Sequence, residues 1–252
     1  MKFTGNNILI TGSSRGIGLA CAKLFAEKGG TIAIHYNRQR EQAEAALAAL
    51  PGSGHLLLQA DLANPEAARG LVEQTVSELG RLDVLVNNAG VYDEHPILQT
   101  DYANWQAVWH KTLGVNLLGP ANATYCAVEQ MRKTGGGKIV NVSSRGAFRG
   151  EPTAPAYGAS KAGLNQMSQS LAKALAPENI FVYVVAPGFV ETEMVTDMLK
   201  GAQGDFIRGQ SPLNRVAQPE EVARTVAFLA SEGVDFLTGA IVDVNGASYL
   251  RS

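Results

Sequence analysis

The 252-residue sequence is poor in the residues that build metal sites and disulfide frameworks. It contains two cysteines and four histidines, and no histidine lies at a metal-ligand spacing from Cys, Asp or Glu. Cys21 and Cys126 fall in predicted helices far apart along the chain, which favours two buried free thiols over a disulfide. We therefore expect a protein that binds no metal ion.

Long apolar runs and an excess of one charge are also missing. No stretch of about 18 apolar residues is present, which argues against a membrane-spanning helix, and the first residues lack the pattern of a secretory signal. The formal net charge is −2 and the isoelectric point is about 6.1, so no basic field would attract nucleic acid. These features predict a cytoplasmic protein that binds neither a membrane nor a nucleic acid.

Apolar residues and glycines, by contrast, are abundant. Hydrophobic residues make up 46% of the sequence, charged residues only 17%, and there are 27 glycines, a balance that favours a large core with tight turns. Short apolar runs alternate with helical patterns, as expected for strands buried on both faces of a parallel sheet. We predict one α/β domain over residues 1–252, a doubly wound Rossmann sheet of seven parallel strands with helices on both faces.

The predicted strands and helices alternate along the chain. Strands are expected at residues 7–10, 31–36, 55–59, 84–87, 138–142, 181–186 and 241–244. Helices are expected near residues 17–28, 40–50, 65–79, 102–133, 157–176 and 219–231. Residues 191–218 are expected to begin as a helix and to continue as a polar loop at the ligand-binding end of the sheet. They would form either a substrate lid or an ordinary surface segment.

A glycine-rich turn with the sequence TGSSRGIG follows the first predicted strand. The backbone N–H groups of such a turn, together with the positive end of the next helix, bind a diphosphate. Glycine is needed there because a Cβ would block the close approach of the ligand. The residues of this turn expected to bind a dinucleotide are Gly12, Ser14, Arg15, Gly16, Ile17 and Gly18.

A candidate acid/base pair lies in the helix predicted over residues 157–176. Tyr157 and Lys161 are four residues apart, so both side chains fall on one face of that helix. A free tyrosine has a pKa of about 10, and a neighbouring ammonium group favours the phenolate and lowers that pKa. This adjustment would suit general acid/base catalysis, although the pair alone could be an ordinary surface pair.

The ordered motifs of the chain together resemble those of the short-chain dehydrogenase/reductase family. The glycine turn matches T-G-x-x-x-G-x-G rather than the G-x-G-x-x-G of other dinucleotide dehydrogenases. Residues 87–90 read N-N-A-G, Asn116 stands in VNLLG, residues 157–161 match Y-x-x-x-K, and residues 187–192 match P-G-x-x-x-T. The resemblance covers almost the whole chain and includes 3-oxoacyl-(acyl-carrier-protein) reductases of similar length. It implies an NAD(P)-dependent oxidoreductase acting on a CH–OH group.

The resemblance also implies roles for individual residues. Tyr157 would protonate the carbonyl oxygen, Lys161 would lower the pKa of Tyr157 and hold the nicotinamide ribose, and Ser144 would hydrogen-bond the substrate oxygen. Asn116 would position a water between Lys161 and solvent. Ser143 is the alternative serine, but the spacing to Tyr157 favours Ser144. The resemblance also implies further cofactor contacts, at Leu62, Asn88, Ala89, Gly90, Pro187, Gly188, Val190 and Thr192. Asp61 would be another cofactor contact, although it could equally be a helix N-cap.

The end of the second predicted strand indicates which nicotinamide cofactor is used. NAD enzymes place an acidic side chain there to bind the ribose hydroxyls, whereas this sequence has Tyr36 followed by Asn37 and Arg38. A 2′-phosphate would meet Arg38, and Arg15 is a second cation that NADP-linked members of the family use in this way. We expect NADP(H) rather than NAD(H), the alternative being that Arg38 is simply solvated.

The segment after Ser144 is expected to line the substrate mouth. Arg145, Arg149 and Glu151 would make the mouth polar and Phe148 would provide an apolar wall, although these charges could also be solvated. The predicted substrate contacts are Ser144, Arg145, Tyr157 and Phe189.

Several functions remain open at this point. The expected reaction interconverts a ketone or 3-oxoacyl group and a secondary alcohol on a small molecule. A 3-oxoacyl-(acyl-carrier-protein) reductase is one candidate, weakened by Glu178 standing where an arginine would help a carrier protein dock. A catalytically retired NADPH-binding sensor and an epimerase or dehydratase that shares Y-x-x-x-K are others. Members of the family are usually homotetramers, so a homotetramer or homodimer is expected.

Overall fold

A parallel β-sheet forms the centre of the computed structural model, which describes residues 1–193 and 195–251. Its seven strands are β1 Asn7–Ile10, β2 Thr31–Tyr36, β3 Leu56–Gln59, β4 Val84–Asn87, β5 Gly137–Val142, β6 Ile180–Pro187 and β7 Ile241–Val244. They lie in the order β3-β2-β1-β4-β5-β6-β7, and every neighbouring pair is parallel. The sheet therefore has the predicted doubly wound order.

Helices connect the strands and cover both faces of the sheet. The α-helices in the described ranges are α1 Gly16–Glu27, α2 Arg40–Ala48, α3 Pro65–Leu79, α4 Tyr102–Leu113, α5 Gly119–Lys133, α6 Gly146–Arg149, α7 Pro155–Leu175, α8 Gly201–Gly209 and α9 Pro219–Ala230. A π-helical turn, Gly114–Leu118, joins α4 to α5. No helix in this part of the chain is both long and apolar enough to cross a bilayer.

The continuous apolar runs of the strands reflect two separate cores. Ile8 and Ile10 of β1 pack into one core with the inner faces of α1 and α9. Leu9, between them, packs into the other core with α3, α5 and α7. Successive side chains of a strand point to opposite faces, so a strand buried on both sides needs an unbroken apolar run. The predicted single-domain Rossmann fold is confirmed.

The predicted helix over residues 102–133 is interrupted in the structure. Gly114–Leu118 forms a π-helical turn in the middle of a segment whose apolar pattern indicates one continuous helix. Such single π turns occur often at functional sites, and this one carries Asn116. Trp105 and Trp109 of α4 pack beside each other with ring centres 5.8 Å apart, and Trp105 also packs on His95.

Two smaller expectations are wrong. Residues 191–201 were expected to be helical, but the described residues of 191–200 form turns and irregular structure, and the helix of this segment, α8, begins at Gly201. A Cβ at Gly204 would overlap the Leu199 backbone, so α8 packs closely against the preceding turn. Met194, which also falls in the segment expected to be helical, lies outside the described residues. Cys21 and Cys126 are free, but only Cys21 is buried. Cys126 is partly exposed, near the charged groups of Glu73 and Arg69 on α3.

Buried amide and hydroxyl groups tie two strands to the helices that flank the ligand end of the sheet. Asn87 Nδ2 donates to Thr124 Oγ1 over 3.1 Å and to Asn141 Oδ1 over 2.8 Å. Asn141 Nδ2 in turn donates to Ser168 Oγ over 2.8 Å. Ser168 completes the chain by donating to Leu164 O. Buried polar groups are costly unless they are paired, so this chain of bonds fixes α5 and α7 relative to β4 and β5.

We expect Asn141→Ala to lower the free energy of unfolding by about 2–3 kcal/mol, because it removes the two buried hydrogen bonds with Asn87 and Ser168. Urea denaturation measures this change. The control is Gln169→Ala on the exposed side of α7, which should alter the free energy by less than about 0.5 kcal/mol. Equal effects of the two substitutions would contradict the structural role of the buried chain.

Candidate active site

The strand order reverses at β1, and a cavity opens there at the carboxyl edge of the sheet. The chain runs outward from β1 to β3 and then returns to β4 on the other side of β1. In open α/β sheets ligands bind in the crevice that this reversal creates. The cavity has a volume of about 600 Å³, which is in the usual range for small-molecule and cofactor sites.

The glycine turn after β1 forms one wall of the cavity, and its conformation requires glycine. Gly12 and Gly16 have φ angles of +63° and +55°, in the left-handed region that side chains disfavour. A Cβ on Gly12 would lie 2.9 Å from Ala89 Cα, and one on Gly18 would lie 2.6 Å from Asn88 Nδ2. The turn thus packs directly on the segment after β4 and leaves its own backbone open to a phosphate.

Asn88 holds these two segments together. Its Nδ2 donates to Thr11 O over 2.9 Å and to Gly12 O over 3.0 Å. The Thr11 hydroxyl accepts hydrogen bonds from the backbone N–H groups of Asn88 and Ala89. The N-N-A-G motif therefore stabilises the glycine turn through these hydrogen bonds. Asn88, Ala89 and Gly90 also line the cavity.

His35 is a support of the glycine turn that the sequence analysis missed. The Gly12 N–H donates to His35 Nδ1 over 2.9 Å, so the ring proton is on Nε2, which lies 3.1 Å from Ala60 O. Burial lowers the pKa of His35 to about 4, which keeps the ring neutral near pH 7. A histidine inside an otherwise apolar strand, beside the glycine turn, is the signal that could have identified it.

Asn37, Arg38, Asp61 and Leu62 line the far end of the cavity, beyond β2 and β3. Arg38 is exposed and makes no ion pair within the described residues. Asp61 accepts a hydrogen bond from the Ala63 N–H over 3.0 Å. The N-cap of α3 is Asn64, so the alternative interpretation of Asp61 as that cap is wrong.

Arg15 is already paired in the structure, with a residue that the sequence analysis did not identify. Its Nη1 lies 2.7 Å from Glu193 Oε2, and Gln42 Nε2 donates to Glu193 Oε1 over 3.0 Å. The Arg15 guanidinium holds the pKa of Glu193 below its usual range. These contacts connect the glycine turn and α2 to the segment after β6, across the edge of the cavity.

Tyr157, Lys161 and Ser144 meet at the opposite end of the cavity. Tyr157 and Lys161 are one turn apart on α7, and Ser144 follows β5. Ser144 and Tyr157 both border the cavity, and the Ser144 hydroxyl lies close enough to the phenol to lower its pKa. Lys161 Nζ donates to Val142 O over 2.8 Å. Ser143 instead donates to Lys161 O, so Ser144 is the serine beside the phenol.

The expected effect of Lys161 on Tyr157 does not occur in this arrangement. Burial raises the pKa of Tyr157 to about 12, and the nearby Ser144 hydroxyl only partly offsets this. Burial also lowers the pKa of Lys161 to about 8. The Lys161 ammonium is directed to the carbonyl of Val142, and low-dielectric surroundings disfavour the charged form of both groups. The expectation that Lys161 lowers the pKa of Tyr157 is therefore wrong here.

Asn116 lies behind this cluster, in the π-helical turn. The Val91 N–H donates to Asn116 Oδ1 over 2.8 Å, and Asn116 Nδ2 donates to Val91 O over 2.9 Å and to Ser160 Oγ over 3.2 Å. Ser160 in turn donates to Tyr157 O. Asn116 thus fixes the segment after β4 against the helix that carries Tyr157.

The segment after β6 covers the cavity from the other side. Pro187, Gly188, Phe189, Val190 and Thr192 all line the cavity. A Cβ on Gly16 would lie 3.2 Å from Thr192 Cγ2, so this segment also approaches the glycine turn. With the exception of Gly18, the predicted cofactor residues, which come from six separate stretches of the chain, therefore border one cavity.

The substrate end of the cavity is polar and aromatic. Tyr92, which the sequence analysis did not single out, packs edge-on against Tyr157 with ring centres 5.1 Å apart. Arg145 and Glu151 border the cavity there. Phe148 was expected to be an apolar wall, but it lies under the Arg251 guanidinium, 4.5 Å from the ring centre. That expectation is wrong because the C-terminal segment folds over Phe148.

Comparison with known proteins identifies the family to which the chain belongs. A family model described as enoyl-(acyl carrier protein) reductase matches residues 12–247. The chain belongs to the short-chain dehydrogenase/reductase family, whose members use a nicotinamide cofactor, and it is an oxidoreductase acting on CH–OH groups.

Its relatives include enzymes with a stated substrate. The 3-oxoacyl-(acyl-carrier-protein) reductase of Staphylococcus aureus is 36% identical and is matched over 99% of this chain and 100% of its own length. The enzyme with the same name from Thermotoga maritima is 37% identical over 98% of both chains. The crystal structure of a dehydrogenase/reductase from Sinorhizobium meliloti superposes with a TM-score of 0.90 at 31% identity and covers 99% of this chain and 97% of its own.

The position of His35 predicts a specific loss of stability in acid. An unfolded histidine titrates near pH 6.5, whereas His35 in the folded protein has a pKa of about 4. As the pH falls from 6.5 towards 4, the unfolded state binds the proton first and stability is lost. We expect about 2 kcal/mol of the loss between pH 7 and pH 4.5 to come from this residue.

Urea denaturation at pH 7 and pH 4.5 checks this contribution. His35→Asn, which keeps an acceptor for the Gly12 N–H but does not titrate, should reduce the pH dependence by that amount. His110→Asn on the exposed side of α4 is the control and should keep the full dependence. If His35→Asn also keeps the full pH dependence of the free energy of unfolding, the loss of stability in acid does not come from His35.

Proposed function

We propose that this protein is an NADP(H)-dependent reductase that converts a ketone or 3-oxoacyl group to a secondary alcohol, with Tyr157 as the general acid. The observation that carries the proposal is that Tyr157 and Ser144 lie together at one end of a cavity of about 600 Å³ whose other end is the glycine turn. An extended ligand fits between a phosphate cradle and a proton donor.

The residues around the cavity suit a dinucleotide. A Cβ at Gly12 or Gly18 would collide with Ala89 or Asn88 and displace the turn that we assign to the diphosphate. Asn37 and Arg38 would receive the 2′-phosphate. Ser14, Ile17, Asp61, Leu62, Asn88, Ala89, Gly90, Pro187, Gly188, Val190 and Thr192 supply the remaining contacts in this proposal. A bound nicotinamide cofactor supplies the hydride.

The protein's own part in the reaction is proton transfer and charge stabilisation. Because burial raises its pKa to about 12, Tyr157 is a neutral phenol at pH 7 and can donate a proton. Its O–H bond breaks while a new O–H bond forms on the substrate oxygen, and Ser144 stabilises the charge on that oxygen. Lys161, with a pKa of about 8, lies beside the resulting phenolate and can carry a proton near neutral pH.

A neutral Tyr157 is the protonation state from which a carbonyl oxygen can be protonated. The same residue would accept the proton in the reverse reaction, so the direction of the reaction depends on the cofactor and substrate concentrations. Surface charge bears on whether the substrate is attached to an acyl carrier protein. Arg132 pairs with Glu178 over 3.0 Å, which neutralises a cation on the surface where an acidic carrier would dock, so we propose a small-molecule substrate.

The proposal also includes a substrate lid, an oligomeric state and a cellular location. We assign residues 191–218 as the substrate lid, since the Glu193 contacts and α8 lie beside the cavity. A homotetramer or homodimer is supported by exposed apolar side chains on and near the 102–133 helices and near β7. These side chains are Tyr102, Leu118, Tyr125, Phe236 and Leu250. We place the protein in the cytoplasm.

Substitution of the proton donor tests the reaction. We expect Tyr157→Phe to lower kcat/KM by about 100-fold to 10,000-fold because general acid catalysis is lost, while NADPH affinity stays within about threefold. NADPH absorbance with a panel of ketones, acetoacetyl thioesters and a crotonyl thioester measures turnover. Tyr125→Phe, exposed on α5, is the matched control and should behave as wild type.

Each outcome of the panel has a defined meaning. Substantial activity in Tyr157→Phe would remove this residue from the proposed role. Reduction of the crotonyl thioester alone would replace carbonyl reduction with reduction of a carbon–carbon double bond. NADPH binding without turnover on any compound would indicate a retired sensor.

The Arg15–Glu193 pair predicts an unusual gain in cofactor affinity. Wild type should prefer NADPH to NADH, and Glu193→Gln should strengthen NADPH binding about two- to fivefold, because Arg15 loses a surface ion pair of modest strength and becomes free for the 2′-phosphate. Calorimetric titration with both cofactors measures this effect. Asp197→Asn removes a nearby surface pair with Lys200 and should change neither affinity. A preference for NADH would refute the role of Arg38.

A further inference from the structure

Arg145 is a buried cation at the substrate end of the cavity. Only 3% of its surface is exposed, and it lies between the main cavity and a smaller one of about 140 Å³ that the lid and the C-terminal segment enclose. Its Nη1 donates to Ser248 Oγ over 2.5 Å and its Nη2 to Gln210 Oε1 over 2.6 Å. The guanidinium also stacks on Phe189 at 4.8 Å.

All three of these partners are neutral, and this distinguishes Arg145 from its charged neighbours. Around the two cavities, described ion pairs join Lys111 to Asp93, Arg215 to Glu221, Arg251 to Asp243 and Arg149 to Glu151. Arg145 makes no such pair in the described residues. Burial lowers its pKa to about 10, so the group is nevertheless charged at pH 7.

A buried charge without a counter-ion is costly unless something compensates it. Arginine has five N–H donors in a planar fork, and the bonds to Ser248 and Gln210 use two of them. The others are available to a carboxylate, which guanidinium binds with high geometric specificity. Because Arg145 directly follows Ser144 in sequence, such a carboxylate would lie only a few bonds from a carbonyl held by Ser144 and Tyr157.

We propose that Arg145 binds the carboxylate of the substrate, so that the enzyme reduces oxo acids in preference to neutral ketones or esters. This inference rests on the carbonyl reduction proposed above and specifies its substrate class. The contact with Gln210 would also couple the bound anion to the lid, because Gln210 directly follows α8. Glu151, which borders the same end of the cavity, is engaged by Arg149 and does not pair with Arg145.

Matched pairs of substrates test this proposal. Acetoacetate is compared with methyl acetoacetate, and 4-oxopentanoate with its methyl ester, by NADPH oxidation. We expect kcat/KM for the preferred acid to exceed that of its ester at least about tenfold. Arg145→Gln should lower the activity on that acid about 10- to 100-fold, as for a lost charged hydrogen bond, and leave the ester within about threefold.

Two further variants separate anion binding from a purely structural role. Arg145→Lys keeps the charge and should recover part of the activity on the acid. Arg224→Gln, on the exposed side of α9, should change the ratio of acid to ester by less than about twofold. If Arg145→Gln does not fold, the wild-type ratio of kcat/KM on the acid to that on the ester, together with the activity of Arg145→Lys, still tests the anion site.

The possible failures can be told apart. Equal activity of wild type on acids and esters, or an equal loss on both in Arg145→Gln, would overturn the anion site and leave carbonyl reduction standing. No turnover on any compound would overturn the proposed reaction. In that case, calorimetric titration of the NADPH complex with each acid and its ester still tests Arg145: tighter binding of the acid that Arg145→Gln abolishes would support the site, and equal binding would overturn it.

Discussion

The close contact between the turn after β1 and the segment after β4 is the constraint on which the rest of the site depends. At Gly12 and Gly18 the two backbones come so near that a single Cβ would collide with Ala89 or Asn88. Asn88 fills the remaining space and bonds both segments. This contact sits where the strand order reverses, so it defines the crevice in which a nucleotide can lie against bare backbone N–H groups.

Low polarity around the ionisable groups gives this crevice its chemistry. Burial raises the pKa of Tyr157 and lowers those of Lys161, His35 and Arg145. Electrostatic interactions are stronger in such surroundings than in water, which would strengthen the proposed contacts of Ser144 and Arg145 with a substrate. The same property keeps His35 neutral, and its neutral ring holds the glycine turn in place.

The fold could be predicted because the central strands are buried on both faces and the longer helices on one, which leaves clear periodic patterns. Features that depend on three-dimensional contact could not be found in this way. The π-helical turn at Asn116 has an uninterrupted helical pattern, and the Arg15–Glu193 pair joins residues far apart in the chain. Lys161 was expected to lower the pKa of Tyr157 because spacing shows proximity, whereas burial, which determines the direction, depends on the packed structure.

A crystal structure of the protein with NADP⁺ tests the central claim most directly. The account predicts the diphosphate at the turn of Gly12 and Gly18, the 2′-phosphate beside Arg38 and the nicotinamide ring next to Tyr157 and Ser144. Absence of the nucleotide from the crevice at saturating concentration, or a nicotinamide ring placed away from Tyr157, would contradict it.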